Sequence, residues 1–226
     1  MISDTKVVAI GGGTGLSTML KGLKLHTHNI TAVVTVADDG GSSGILRSDL
    51  GMLAPGDVRN CVSALAEVDP VMGELLNFRF KDGSLKGHSL GNLFLAALNE
   101  TSSSFDEAVK KFSHLAGVVG TVYPVTNESV TLSALLEDGR LIEGESHIGV
   151  HHDGPKNGIV KLMVNPEKPK AVDGVIKALE KADIIVLGPG SLYTSIIPNL
   201  LVDGVVDAIK KSNAVKIYVC NIMSQA

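Results

Sequence analysis

The 226-residue chain contains no tryptophan, and only 4% of its residues are aromatic. Its core must therefore be built from Val, Ile, Leu and Ala, which suits a buried parallel sheet covered by helices. Hydrophobic residues make up 44% of the chain and charged residues 19%, which argues against intrinsic disorder. At this length we expect residues 1–226 to form a single domain, and the site patterns described below indicate that it binds a nucleotide.

A basic surface is also missing, since the net charge is −4 and no long basic run occurs. Binding to a phosphate backbone normally needs such a surface, so no nucleic-acid partner is expected. The two cysteines, Cys61 and Cys220, lie in apolar runs without paired spacing, and we expect both to be buried thiols. The apolar residues 7–10 are too few for a signal-peptide core or a membrane span, which predicts a cytoplasmic protein with no membrane partner.

Apolar runs alternate with helical patterns along most of the chain. β runs at 6–10 and 30–37 flank a helical pattern at 16–25, which predicts a right-handed βαβ unit. The fold class is therefore α/β, with a Rossmann-like, doubly wound and mostly parallel sheet. Further helices are predicted at 58–67 (with Asp57 as N-cap), 71–78, 90–100, 105–115, 172–181 and 195–211 (with a break near Pro198), and further strands at 182–187 and 215–220.

Residues 118–164 have a different pattern. Apolar and polar residues alternate from Val130 to Leu136, and Asp138-Gly139 is a strong hairpin turn. This predicts an antiparallel excursion at the edge of the sheet, across which two copies could pair as a homodimer. The last strand has no helix after it to cover it, so we expect the protein to continue beyond Ala226.

The first candidate site is the turn formed by Gly12, Gly13, Thr14 and Gly15, directly after the first strand. Glycines let backbone N–H groups approach a phosphate, and the next helix offers its positive N-terminus. Neither frame of the turn completes G-x-G-x-x-G, and no P-loop lysine follows. The turn therefore predicts phosphate binding without a dinucleotide fingerprint or a Walker A motif.

The second candidate site follows the second strand. Asp38 and Asp39 lie about 20 residues past the glycines, where an acidic residue commonly accepts ribose hydroxyls. The pair could instead hold a divalent metal cation beside a diphosphate, since hard cations prefer oxygen ligands. Gly40, Gly41 and Ser42 come next and are predicted to form a second donor-rich turn.

A third loop contains Gly188, Pro189, Gly190 and Ser191, with Ser195 behind it, and again separates a strand from a helix. Three such loops at one sheet edge would form a shared crevice, although a plain Pro-Gly turn is the alternative here.

Asp57, Arg59, His88 and Asn92, which lie outside the loops, are weaker candidates for the same site. Arg59 could clasp a phosphate or lie on the surface, and His88 and Asn92 could contact a ligand or cap a helix. His151, His152 and Asp153 resemble a metal-binding cluster, but adjacent histidines point in different directions. No further ligand occurs at a suitable spacing, so no metal is expected there. No nucleophile–base pair stands out, which indicates binding more than catalysis.

Five motifs occur in order along the chain, namely VVAIGGGTG (7–15), TVADDGGSSG (35–44), PGDVRN (55–60), HSLGNL (88–93) and LGPGSLYTSIIPNL (187–200). Together they resemble the gluconeogenesis factor family of the YvcK/GlmR type. That family is similar in fold to 2-phospho-L-lactate transferase (CofD) of deazaflavin cofactor synthesis.

The resemblance implies a Rossmann-like domain that binds a UDP-sugar, especially UDP-N-acetylglucosamine, with NAD as an alternative occupant. It implies a regulator of cell shape and cell-wall precursor supply during gluconeogenic growth, acting on a cell-wall precursor enzyme. The first glycine turn would then hold the diphosphate, Asp38 and Asp39 the ribose or a cation, and the third loop with Ser195 would close the other side. The alternative is an enzyme, a metal-dependent CofD-like transferase, and a nicotinamide-dependent oxidoreductase is a more distant one.

Overall fold

The computed structural model describes residues 3–67, 69–150 and 157–223. The strands are β1 (Val7–Gly11), β2 (Ile30–Val34), β3 (Thr121–Pro124), β4 (Thr131–Leu136), β5 (Leu141–Glu143), β6 (Ile159–Asn165), β7 (Ile184–Leu187) and β8 (Val215–Tyr218). The α-helices are α1 (Thr14–Leu23), α2 (Gly41–Leu50), α3 (Gly56–Leu65), α4 (Pro70–Asn77), α5 (Leu90–Glu100), α6 (Phe105–Leu115), α7 (Glu145–Gly149), α8 (Asp173–Lys181), α9 (Ile197–Leu200) and α10 (Val205–Lys211), and a π-helix spans Leu192–Ile196.

Five parallel strands form the main sheet in the order β3-β2-β1-β7-β8. The chain builds outward from β1 through β2 to β3, and later fills the other side with β7 and β8. The strand order therefore reverses between β1 and β7, and in open α/β sheets ligands bind at such a point, outside the carboxyl ends of the strands. The predicted doubly wound α/β class is confirmed.

Both faces of the main sheet are buried. Side chains alternate across the pleat, so Ala9, Ala32 and Val34 belong to the core cluster that includes α1, α3, α5 and α6. Ile10 and Val33 belong to the opposite cluster, with α8 and α10. This two-sided burial is why β1 and β2 are nearly continuous aliphatic runs.

The antiparallel region is shorter than predicted. β3 lies within the expected excursion of residues 118–164, yet it pairs in parallel with β2, with Thr121 opposite Thr31. Alternate residues of β3 are buried where this strand completes the edge of the main sheet. This tertiary packing, and not the alternating sequence pattern, decides how β3 pairs. The separate sheet has the order β5-β4-β6, and the predicted turn at Asp138-Gly139 joins β4 to β5. A homodimer through this region stays a prediction, which sedimentation would test.

Other local predictions are wrong. Residues Gly40 to Gly44 were expected to form a turn, but Gly41 begins helix α2. Pro198 does not break a helix, because it lies in the first turn of α9, where no N–H is needed. The break falls instead between α9 and α10, where Gly204 has a left-handed φ of 85°.

The two cysteines also differ from each other. Cys61 is buried as expected, whereas Cys220 is exposed because it follows the edge strand β8. The candidate triplet His151, His152 and Asp153 lies outside the described residues. Within the described ranges, no helix has both the length and the apolar character needed to cross a membrane.

Candidate functional site

The turn after β1 packs directly against the loop after β7. A Cβ on Gly12 would lie 2.7 Å from Ser195 Oγ, and one on Gly15 would lie 2.5 Å from the carbonyl oxygen of Pro189. Side chains cannot fit at these distances, so glycine is what allows the two loops to approach. The structure therefore brings the first and third predicted loops together at the carboxyl edge of the sheet.

Asp57 occupies the start of α1. Its carboxylate accepts a hydrogen bond from the backbone N–H of Gly13, and a Cβ on Gly13 would overlap Asp57 Oδ1. Asp57 is not the predicted N-cap of α3, because Pro55 takes that position and the Asp57 side chain reaches α1 instead. The glycine turn thus accommodates a carboxylate of the protein itself at the helix end that was predicted to receive a phosphate.

The charge on Asp57 is poorly compensated. Burial, and after it the nearby carboxylates of Asp38 and Glu145, together raise the pKa of its carboxyl to about 7, against the Gly13 hydrogen bond and Arg59, which lower it. Burial also raises the pKa of Glu145, while a hydrogen bond with Thr194 opposes that rise. Near neutral pH, Asp57 is therefore able to take up a proton when another negative group approaches.

Asp38 and Asp39 lie at the same edge, but their carboxylates have different partners. Asp38 Oδ1 accepts from Gly40 N at 3.0 Å, and its Oδ2 would lie 3.1 Å from a Cβ on Gly56. Asp39 Oδ1 accepts from Ser146 N at 2.8 Å and so caps α7, which the small antiparallel sheet places beside the π-helix. Asp38 thus belongs to the crevice floor and Asp39 to the contact with α7.

The described residues contain no group of three or more His, Cys, Asp or Glu side chains placed to hold a metal ion. Among the described residues, Asp38 Oδ2 and Asp39 Oδ2 accept no hydrogen bond. This donor set fits a cation such as Mg²⁺, which commonly takes one or two carboxylates and completes its shell with ligand phosphates and water.

Three helices begin at this crevice without a capping side chain on their own N-cap residue. α1, α2 and α3 have Gly13, Gly40 and Pro55 as N-caps, and none of these residues has a side chain that accepts an N–H of the first turn, although Ser43 Oγ accepts from Gly56 N of α3 at 3.2 Å. Their first N–H groups have no intrahelical acceptor and give each start a partial positive charge. The arrangement is suited to an anionic ligand, and Gly40, Gly41 and Ser42 contribute as the start of a helix rather than as a separate turn.

Arg59 is an interior residue and only 7% exposed, so the alternative of a surface arginine is wrong. Its Nε donates to Asn92 Oδ1 at 3.3 Å, and its Nη1 donates to Asn77 Oδ1 at 2.7 Å. Burial lowers the pKa of Arg59, and Arg79 lowers it further. Asn92 in turn donates to Ser42 Oγ at 3.1 Å, which lies 2.9 Å from His88 Nδ1. Arg59, Asn92, Ser42 and His88 therefore form one buried polar network between α3, α5 and α2, and Asn77 contacts it from α4.

The third loop leads into the π-helix. Ser191 Oγ accepts from Thr194 N at 3.1 Å, while Gly188, Pro189 and Gly190 lie between β7 and this cap. Asn199, which the sequence analysis missed, donates to Gly11 O at 3.1 Å and to Ser195 O at 2.8 Å. Its Oδ1 is buried without a hydrogen-bond partner among the described residues. Its position one helical turn after Ser195 is the signal that would have placed it at the site.

Sequence reasoning also left Glu145 out, and it gave Asp57 as a helix N-cap and a weaker site candidate without identifying its contact with the glycine turn. Glu145 lies at the start of α7, between two short elements of the antiparallel region, and no strand-to-helix glycine loop marks it. Asp57 belongs to the PGDVRN motif, so the motif was a signal for its role.

Comparison with known proteins agrees with this architecture. The family model described as 2-phospho-L-lactate transferase CofD matches residues 7–226. A relative from Thermoanaerobacterium thermosulfurigenes is 58% identical over 99% of this chain and 69% of its own length. One from Clostridium acetobutylicum is 54% identical over all of this chain and 50% of its own length, and the gluconeogenesis factor of Bacillus subtilis is 47% identical over 97% and 68%. The first two also carry gluconeogenesis factor in their names.

A solved structure has the same fold. The crystal structure of a member of the UPF0052 family from Bacillus halodurans superposes with a TM-score of 0.93 at 46% sequence identity. The match covers all of this chain and 71% of the other. The chain therefore spans between half and about two thirds of the length of the relatives it matches.

Proposed function

Because this chain belongs to the gluconeogenesis factor family and has the CofD-type fold, we propose that it is a cytoplasmic regulator that binds UDP-N-acetylglucosamine. The ligand occupies the crevice at the carboxyl ends of β1, β2 and β7. Binding adjusts the supply of cell-wall precursors, and with it cell shape, during gluconeogenic growth.

The observation that carries the proposal is the meeting at this crevice of three helix starts whose own N-cap residues supply no side-chain acceptor. The N-termini of α1, α2 and α3 direct N–H groups without intrahelical acceptors toward the carboxyl edge of the sheet. A diphosphate is a ligand that can use several helix N-termini at once. The loop with Gly188 and Gly190, together with Ser195, then closes the other side of the crevice.

The carboxylates of the site set a condition on the ligand. Asp38, Asp57 and Glu145 interact electrostatically, and a diphosphate would add further negative charge. Binding must therefore be accompanied by a cation or by protonation of Asp57. Asp38 and Asp39 are the residues that would contact a divalent cation, which would supply charge neutralisation at the phosphates.

Calorimetric titration with UDP-N-acetylglucosamine, with and without magnesium, tests the proposal. We expect saturable binding, followed by recovery of the ligand intact. Asp38→Asn should alter the magnesium dependence of binding, while Asp49→Asn, an exposed change at the far end of α2, should leave it unchanged. The same calorimetric titration with NAD tests the alternative occupant. Absence of binding by the wild-type protein would contradict the ligand assignment.

The regulatory part needs a cellular test. A strain whose copy carries a binding-deficient variant is expected to lose normal shape on a gluconeogenic carbon source and to keep it on glucose. The expected macromolecular partner is a cell-wall precursor enzyme, and neither nucleic acid nor a membrane is expected as a partner. Normal shape on both carbon sources would contradict the regulatory role and leave the ligand binding untouched.

A second candidate is a metal-dependent CofD-like transferase, which the family-model match over residues 7–226 favours. In that case a cation at Asp38 or Asp39 would neutralise charge on a transferred phosphoryl-linked group. Magnesium-dependent conversion of the nucleotide, lost in Asp38→Asn or Asp39→Asn, would support this candidate. Full activity of both variants would exclude the metal role.

A further inference from the structure

The buried network from Arg59 to His88 determines which atoms donate. Arg59 Nε carries only a hydrogen to donate, so the Asn92 atom that faces it, at 3.3 Å, must be the oxygen. The amide nitrogen of Asn92 then points to Ser42 Oγ, 3.1 Å away, and donates to it. The orientation of an Asn side-chain amide is often ambiguous, but the Arg59 guanidinium fixes it for Asn92.

The next link determines the tautomer of His88. Ser42 Oγ already accepts from Asn92, and its one hydrogen has a single other neighbour in the described structure, His88 Nδ1 at 2.9 Å. If Nδ1 carried the proton, the buried Ser42 hydroxyl hydrogen would have no acceptor, which is costly. All groups are satisfied only if Ser42 donates to Nδ1. The neutral imidazole then carries its proton on Nε2.

His88 Nε2 has a different environment from Nδ1. His88 is only 7% exposed, yet Nε2 has no hydrogen-bond partner in the described residues. Among the described residues, the fully enclosed side-chain nitrogen and oxygen atoms without a hydrogen-bond partner are Ser63 Oγ, Ser113 Oγ and Asn199 Oδ1. His88 Nε2 is not one of them, so it is not fully enclosed. An otherwise buried imidazole therefore presents an unused N–H at an accessible point, next to the first turn of α2.

We infer that His88 donates a hydrogen bond through Nε2–H to an anionic oxygen of the ligand beside the start of α2. Arg59, Asn92 and Ser42 are positioning residues that fix this tautomer and do not themselves need to contact the ligand. The identity of the ligand rests on the proposed function, whereas the tautomer rests only on the network.

Nitrogen-15 NMR of the histidines tests the tautomer in the ligand-free protein. The His88 signals are identified by their absence in His88→Gln, with His28→Gln, an exposed change, as the matched control. We expect the neutral Nε2–H form. In Asn92→Asp the carboxylate accepts from both Arg59 and Ser42, so Ser42 Oγ becomes free to accept from Nδ1–H. The variant is therefore expected to move the proton to Nδ1, which a merely structural role for Asn92 would not do. An Nδ1–H form in the wild-type protein would overturn the inference.

Titration tests the ligand contact. UDP-N-acetylglucosamine and, separately, inorganic phosphate are expected to shift the His88 Nε2 signal and leave that of His28 in place. His88→Phe should weaken binding roughly tenfold or more, the cost of losing a hydrogen bond to a charged group, and His88→Gln should restore part of it through its amide N–H. If UDP-N-acetylglucosamine fails to bind at all, the proposed function fails, and the phosphate arm still decides on His88. An unshifted Nε2 signal with both probes would overturn the contact.

Discussion

Two sets of helices in this molecule begin in different ways. α4, α5 and α6 start at Asp69, Ser89 and Ser104, and each of these side chains accepts a backbone N–H of the first turn, at 2.8, 3.2 and 3.4 Å. α1, α2 and α3 start at Gly13, Gly40 and Pro55, without any such bond. In the first set, the N-cap residue itself accepts an N–H of the first turn. In the second set, any acceptor for these N–H groups must come from another residue or from a ligand.

The lack of a cap does not define a site by itself. α8 and α10 also begin without a side-chain cap, and they lie on the opposite face of the sheet. What distinguishes α1, α2 and α3 is that their starts meet at the carboxyl edge, where Asp57 from α3 already accepts the Gly13 N–H. A helix start becomes a candidate site when tertiary packing brings other starts and charged groups to it.

The largest loss of stability is expected from closing the gap between the glycine turn and the third loop. In Gly15→Ala the new Cβ would lie 2.5 Å from the Pro189 carbonyl oxygen, a backbone atom that cannot move aside. The free energy of unfolding should fall by about 3 kcal/mol or more, measured by urea denaturation. Gly22→Ala in the same helix meets nothing within 4 Å and should raise it by about 0.5–1 kcal/mol. Equal effects of both changes would contradict the close packing.

The next effect concerns the carboxylate at α1. The pKa of Asp57 is about 7 in the folded protein against 3.8 for an unperturbed aspartate, so between these values the folded state holds a proton that the unfolded state has lost. Asp57 therefore lowers the free energy of unfolding as pH rises from about 4 to 7. In Asp57→Asn that loss is absent, and the variant should gain up to roughly 4 kcal/mol over the wild type across this window and no more above it.

The pH dependence of Asp57→Asn is checked by chemical denaturation of both proteins at pH 4, 5.5, 7 and 8. A difference between them that is independent of pH would contradict the environment assigned to this carboxyl.

A smaller effect is expected at a capped helix. Ser104→Ala removes the acceptor for Glu107 N at the start of α6. It should lower the free energy of unfolding by about 1 kcal/mol, measured by thermal or urea denaturation. Binding of UDP-N-acetylglucosamine should not change, because the ligand uses the other set of helix starts. Weaker binding in a folded Ser104→Ala protein would break the comparison between the two sets.

The smallest change in stability should come from adding a cap where none exists. Gly40 has extended backbone angles, and a Cβ there would meet only Asp38 Oδ1 at 3.4 Å, so Gly40→Ser should fold normally. Serine in place of glycine at an N-cap is expected to add only a few tenths of a kcal/mol. Its hydroxyl would compete for the N–H groups of α2, so ligand affinity should fall while stability holds. Unchanged affinity would show that α2 does not contact the ligand.

Much of the fold was predictable because its signals are local. The bounds of α5 and α6 agree with the helical pattern, since each begins at a serine cap and repeats apolar residues at helical spacing. Two predictions failed where distant packing decided the outcome. The parallel pairing of β3 with β2 depends on residues 90 positions apart, from Thr31 to Thr121. The turn expected at Gly40 became a helix, whose last turn holds Arg47, which donates to Asp38 O and Val130 O.

The site was predictable in its loops and not in its side chains. By itself the sequence determined that glycine turns and acidic residues follow successive strands, because strand, turn and helix starts are encoded by neighbouring residues. Only the tertiary structure decided that Asp57 accepts from Gly13, that Asp39 caps α7 across 107 positions, and that Arg59 lies inside the protein. The physical reason is that the partner of a buried polar group is the one that packing places within hydrogen-bond distance, and local sequence carries no record of that distance.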